Sequence, residues 1–149
     1  MKIILYQPQI PQNTGNILRT CAVTGSELCL VTPLGFSISD RWLKRAGLDY
    51  WDLQVPMTLI DNLEEYLEDT DSPFYFFSSK AKIRYDSVPY TKEAQLIFGS
   101  ETNGLPESFY QRWPEKFVTL PMQPEARCLN LATSVGISIY EAWRQLNFS

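Results

Sequence analysis

The sequence predicts an α/β domain built on a mainly parallel sheet flanked by helices. Three observations carry that expectation. Strand-like and helix-like segments alternate along the whole chain, the pattern of successive βα units. Two inner segments, residues 74–79 and 95–99, are apolar almost without interruption, as strands covered on both faces are. The chain has 149 residues and no repeat, low-complexity tract or linker-like stretch, which is the size and continuity of one domain.

In order, residues 2–6 (KIILY) form the first expected strand, ended by the proline-containing QPQIPQ. A helix is expected to start at Asn13-Thr14, with Ile17, Leu18, Cys21 and Ala22 on one face and Gly25 as its stop. Residues 27–31 (ELCLV) read as a second strand, followed by a Pro/Gly/Ser loop over 33–39. Asp40 is expected to cap a short helix, RWLKRA, that Gly47 ends. An extended piece is expected near Leu53–Pro56, and Asp61 with Glu64 resembles a capping arrangement opening the helix NLEEYLED. After the two apolar strands, a helix is expected over 106–112 with Pro106 in its first turn. Residues 117–121 (FVTLP) are a further strand, and the last helix runs from about Asn130 to Leu146. That last helix carries no charge from Leu129 through Tyr140, so it is expected to be covered on more than one side. One side faces the sheet. A second copy of the chain is the economical cover for the other, which predicts a homodimer.

Composition narrows the chemistry. There is no histidine, which removes imidazole acid–base catalysis, His-based triads and HExxH zinc sites. Cys21, Cys29 and Cys128 fit neither a disulfide framework nor a CxxC motif, and no metal is expected. No apolar run approaches the roughly 18 residues of a membrane span. The N-terminal segment lacks a signal-peptide pattern, so the expectation is a soluble, cytoplasmic protein. The net charge is −4, but six of the 17 acids fall between Asp61 and Asp71. Basic groups lie elsewhere, at Arg41/Lys44/Arg45 and Lys80/Lys82/Arg84. An acidic back and a basic front are compatible with RNA binding; two solvated faces would read the same way.

Three segments hold unusual residue combinations where strands end. In Asn13-Thr14-Gly15-Asn16, amides and a glycine meet a helix start, a favourable place for an anion, and Arg19 follows one to two turns on. Residues 98–106 (FGSETNGLP) place two glycines close together after a buried strand, allowing positive φ and close backbone approach to a ligand. The spacing fits neither a P-loop nor GxGxxG. Residues 120–131 (LPMQPEARCLNL) form a stiff loop whose Met122, Leu129 and Leu131 offer an apolar wall for an adenine.

Taken together, NTGNILRTCAVTG, GSETNGLP and LPMQPEARCLNLATSVGISIYEAWRQ resemble the tRNA 2'-O-methyltransferases of the SPOUT class, across essentially the whole chain and in order. The likeness is greatest to the subgroup acting on the wobble cytidine or uridine of the anticodon, and RWLKRAGLDYW at 41–51 is also like that subgroup. The resemblance implies a C-terminal deep trefoil knot, which is a rare exception to ordinary chain connections. It implies S-adenosylmethionine as cofactor, held by Ser78, Gly99, Glu101, Gly104, Leu120, Met122, Cys128, Leu129 and Asn130. Cys128 departs from the serine common at its place. Arg19 takes the place of the catalytic arginine, with Tyr140 as a second catalytic candidate. Asn13, Asn16, Lys44 and Arg45 are the expected RNA contacts, the partner being a tRNA anticodon stem-loop. Two alternatives stand beside this reading. One is methylation of another tRNA position or of rRNA. The other is a catalytically silent RNA-binding protein of the same class.

Overall fold

A computed structural model describes residues 1–39, 41, 45 and 55–149. Seven strands form one sheet: β1 (Lys2–Tyr6), β2 (Glu27–Val31), β3 (Met57–Ile60), β4 (Phe74–Phe77), β5 (Ile83–Arg84), β6 (Gln95–Phe98) and β7 (Phe117–Thr119). Their order is β3-β2-β1-β6-β4-β7-β5, and every recorded pairing is parallel. The α-helices whose bounds are described are α1 (Pro11–Thr24), α2 (Leu63–Glu68), α3 (Glu107–Arg112) and α4 (Leu131–Gln145).

The side-chain alternation of each strand divides the core in two. Ile3, Leu5, Leu28, Leu30, Leu96 and Phe98 face α1 and α4, meeting Ile17, Leu18 and Cys21 of α1 and Val135, Ile139 and Ala142 of α4. Ile4, Cys29, Val31, Phe76 and Ile97 face the other way, toward Leu63 and Leu67 of α2 and Phe109 of α3. The second layer is aromatic: Phe76 stacks on Phe117 at 4.7 Å between centroids, and Phe74 meets Trp113 edge-on at 5.8 Å. Truncating any fully buried member, such as Ile139, removes about 2–5 kcal/mol.

The sheet's amino-terminal edge is closed by a polar chain. The Lys2 ammonium donates to Tyr66 Oη at 3.0 Å, Tyr66 Oη donates to Gln95 Oε1 at 2.7 Å, and Gln95 Nε2 donates to Thr70 Oγ1 at 3.1 Å. At the other end of the fold, β7 enters between β4 and β5, two strands consecutive in sequence. The chain then crosses to α4, which packs against α1 and β6. Gln145 of α4 accepts the Tyr90 amide N–H and donates to the Val88 carbonyl, tying the C-terminal helix to the β5–β6 connection.

Several expected boundaries shift, each for a physical reason. Helix α1 starts at Pro11, not at Asn13-Thr14, because a proline at the first helical position sacrifices no hydrogen bond. No side chain caps it, but the segment leading in is held from a distance: Glu101 accepts the backbone N–H groups of Gln9 and Ile10 at 2.8 and 3.1 Å. A strand the sequence did not mark, Met57–Ile60, pairs in register with Leu28–Val31, and just before it Pro56 gives its carbonyl to Leu28 N–H. Asn62, not Asp61, caps α2 by accepting from Glu65 N–H, while Asp61 takes the Thr32 hydroxyl. Pro106 stands as the cap of α3, one position before its first turn. The strands expected to run to 79, 99 and 121 end at Phe77, Phe98 and Thr119, where the chain leaves the sheet. Strand β5, two exposed residues, carries no apolar pattern that would predict it. Most of the helix expected over 41–46, including Lys44, and the residues 53–54 lie outside the described residues.

Candidate cofactor and RNA site

In open parallel sheets ligands bind beyond the carboxyl ends of the strands. Here the neighbours β6, β4 and β7 release three loops at that edge, and the loops enclose a cavity of about 550 Å³. That size lies within the range of small-molecule and cofactor sites. All nine residues expected at the cofactor line it. Ser78 leaves β4, Gly99, Glu101 and Gly104 follow β6, and Leu120, Met122, Cys128, Leu129 and Asn130 lead from β7 to α4.

The loop after β6 is a tight return. Ser100 and Gly104 exchange both backbone hydrogen bonds at 3.2 and 3.0 Å, and the Ser100 hydroxyl accepts Asn103 N–H. Gly104 closes the turn with φ +64°, and a Cβ on Gly99 would sit 2.4 Å from the Gly104 carbonyl carbon. Both glycines are therefore required by backbone geometry. A cradle this close to main chain fits a flat, hydrogen-bonding group such as a purine. The wall opposite carries the Leu120, Met122, Leu129 and Leu131 side chains.

A continuous relay of hydrogen bonds ties the rim. The Glu101 carboxylate accepts from Gln9 N–H, Ile10 N–H and Asn13 Nδ2, the last at 3.3 Å. Asn13 Oδ1 accepts from Asn130 Nδ2 at 2.9 Å, and Asn130 Oδ1 caps α4 by accepting the Ala132 and Thr133 amides. Asn13, expected among the RNA contacts, is 7% exposed and spends its amide on this relay. On the far side, Tyr110 of α3 stacks on Phe117 at 4.0 Å and shares a 2.6 Å hydroxyl hydrogen bond with Ser78. Sequence reading did not single out Tyr110 or Lys80 as pocket residues; both line the cavity. Their signal is three-dimensional, because α3 meets the end of β4 only in the folded chain.

Of the remaining expected residues, those that are described lie away from the cavity of their own chain, and Lys44 lies outside the described residues. Arg19 and Asn16 are exposed on α1, Arg45 is exposed, and Tyr140 is 48% exposed on α4 beside Trp143. Ile137 of α4 and Val23 of α1 are also exposed, at 38% and 51%. The last helix therefore buries one side only within a single chain. Acidic groups gather on the opposite layer, where Arg112 of α3 pairs with Glu64 and Glu68 of α2. Among the described residues no cluster of His, Cys, Asp or Glu is arranged to hold a metal ion, and no helix is long and apolar enough to cross a membrane.

Comparison with known proteins places this arrangement. The model of the SpoU rRNA Methylase family matches residues 1–140. The tRNA (cytidine(34)-2'-O)-methyltransferase of Methylovorus glucosotrophus (strain SIP3-4) is 45% identical over 149 residues, covering 99% of this chain and 96% of that protein. A solved structure described as giving insight into 2-OH methylation of C/U34 on tRNA matches with a TM-score of 0.91 and 41% identity, over 99% of this chain and 97% of its own. An AdoMet-bound rRNA methyltransferase from Sinorhizobium meliloti shares the fold, with a TM-score of 0.85 at 23% identity, over 97% of this chain and 56% of that one.

Proposed function

The chain belongs to the SpoU rRNA Methylase family, and from that premise we propose that it methylates the ribose 2'-hydroxyl of the wobble nucleotide, cytidine or uridine, in the tRNA anticodon loop. The observation that carries the reading is the cavity at the carboxyl edge, lined by every residue expected to hold S-adenosylmethionine. When bound, that cofactor supplies a methyl group on a sulfonium, activated for displacement by an oxygen nucleophile. The protein's part is alignment, exclusion of water and electrostatics. The tight return from Gly99 to Gly104 would let main chain approach the purine closely, and the Glu101–Asn13–Asn130 relay fixes the two loops that would grip it.

Arg19 is the catalytic residue of this reading. A guanidinium stays protonated, so Arg19 stabilises the developing negative charge on the 2'-oxygen or holds the flanking phosphate, and does not abstract the proton, which passes to water as the oxygen takes the methyl group and the sulfur keeps the electron pair. Arg19 lies outside its own chain's cavity, which is resolved by a homodimer with shared sites. Ile137, Tyr140 and Val23 supply the apolar surface for the two-fold contact. Arg19 of one chain and the loops of the other then form one site, with Tyr140 at the seam. Asn16, Lys44 and Arg45 are the proposed phosphate contacts to an anticodon stem-loop, and the protein works in the cytoplasm, where that substrate is.

The test is methyl transfer to tRNA with the modified position mapped, using three samples: wild type, Arg19→Ala and Gly104→Val. Wild type should methylate position 34 alone, and each variant alone should be inactive. After subunit exchange, a mixture of the two variants should recover up to a quarter of wild-type activity. Methylation elsewhere overturns the substrate assignment, and exchange without recovery overturns the shared site.

A further inference from the structure

The cavity is lined by two charged side chains among the described residues, Glu101 and Lys80. Glu101 is committed to the relay, its oxygens accepting from Gln9, Ile10 and Asn13. Lys80 lies three residues past β4, exposed at the rim, with its ammonium 5.9 Å from the centre of the Tyr110 ring. The Ser78 hydroxyl accepts the Lys80 backbone N–H at 3.2 Å and is itself bonded to Tyr110 Oη at 2.6 Å. The backbone of Lys80 and the ring beneath its ammonium are thus both tethered to one atom at the end of β4.

S-adenosylmethionine carries an α-carboxylate that must find a counter-charge or stay in water. The other anion-friendly feature at the cavity is the amino terminus of α4, where two of the first three amides, those of Ala132 and Thr133, are already taken by Asn130 Oδ1. Glu101 repels a carboxylate. The geometry points to Lys80 as the residue that recognises the cofactor's carboxylate, setting the direction in which the amino-acid tail leaves the cavity. The inference rests on the cofactor reading above and adds a positioning and specificity residue to it.

The tail's direction matters because it fixes the sulfonium between purine and carboxylate. With both ends held, the methyl group points one way; with the carboxylate loose, the tail swings. Lys80 therefore discriminates between adenosyl compounds that carry a carboxylate and those that lack one. A rim-exposed ion pair contributes modestly, so the expected loss is roughly three- to ten-fold in affinity.

The experiment measures binding of two probes, S-adenosylhomocysteine and methylthioadenosine, by calorimetry to full-length wild type, Lys80→Met and Lys80→Arg. Methylthioadenosine keeps the purine, ribose and sulfur but has no carboxylate. Lys80→Met should weaken S-adenosylhomocysteine three- to ten-fold and leave methylthioadenosine within two-fold. Lys80→Arg should restore most of the difference, and the gap between the probes should narrow in high salt as the charges are screened. Equal loss for both probes, or no loss for either, overturns the assignment while leaving the cofactor reading intact. Failure of the wild type to bind either probe overturns the cofactor reading and this inference with it.

Discussion

The two edges of the sheet use polar side chains in opposite ways. At the amino edge, Lys2, Tyr66, Gln95 and Thr70 bond to one another in a row, and Gln95 is buried at 2% exposure. Nothing there is left to meet a ligand. At the carboxyl edge, Glu101, Asn13 and Asn130 also bond to one another, but what they hold are loops, and the loops stand apart around a cavity. The first network fills space; the second keeps space open. Buried polar groups are thus no sign of a site by themselves, and what distinguishes the two edges is whether the network fastens side chains or main chain.

Three experiments would break or sharpen that contrast. The largest effect is expected at Gly99, where an alanine Cβ would fall 2.4 Å from the Gly104 carbonyl carbon. Gly99→Ala should lower S-adenosylhomocysteine affinity at least about 100-fold and cost about 1–3 kcal/mol of unfolding free energy from overpacking. Near-normal binding in this variant would mean the carboxyl loops are adaptable rather than held. Tyr66→Phe comes next. It leaves the buried Gln95 Oε1 without a partner and takes one hydrogen bond from Lys2, which keeps its ion pair with Glu27, lowering stability by about 1–2 kcal/mol in denaturant titration. Ligand affinity should stay within two-fold, and a larger change would show that the edges are coupled through β6.

The smallest effect separates the thiols. Burial pushes Cys21 up to about 12 and Cys29 up to about 11, so neither offers thiolate near neutrality. Cys128 is exposed at the cavity. A thiol reagent at pH 8 should modify one cysteine per chain in the native protein, and S-adenosylhomocysteine should slow it. Modification of all three without denaturant would contradict the packing. The same burial sets a pH dependence. Between about pH 9 and the raised native values, the unfolded chain loses these protons first. The contribution of these two thiols is therefore full below about pH 9 and is lost as pH rises above it.

Much of this was legible in the sequence. The alternation of FYFF and QLIF with helical segments predicts the parallel sheet because strands covered on both sides must be apolar throughout. The glycines of GSETNGLP predict a close backbone approach, and the structure places them at the cavity. What was hidden depends on distant residues. Pro11 is a local signal for the start of α1, but the Glu101 carboxylate that holds the Gln9 and Ile10 amides just before it is not visible locally. Asn13 looks like an RNA contact until Asn130 is seen bonded to it. Strand β5 exists because β7 offers it an edge, not because Ile83 and Arg84 favour extension. Tyr110 and Lys80 reach the cavity only when α3 and β4 are side by side.

The relay from Gln9 through Glu101 and Asn13 to Asn130 also bears on how the molecule comes into being. Its links join residues 92 and 117 positions apart, and bringing such distant points together carries a loop-closure entropy that local contacts do not. An all-parallel sheet is itself built from separated partners, so this chain belongs among slow folders. On the ribosome, β1, β2 and β6 are complete before residue 130 has been synthesised, but one layer over them is not: Val135, Ile139 and Ala142 of α4 arrive last, together with the Asn130 that fastens the cavity. The last helix thus closes core and cavity in one step, and ligand binding reports that both have formed.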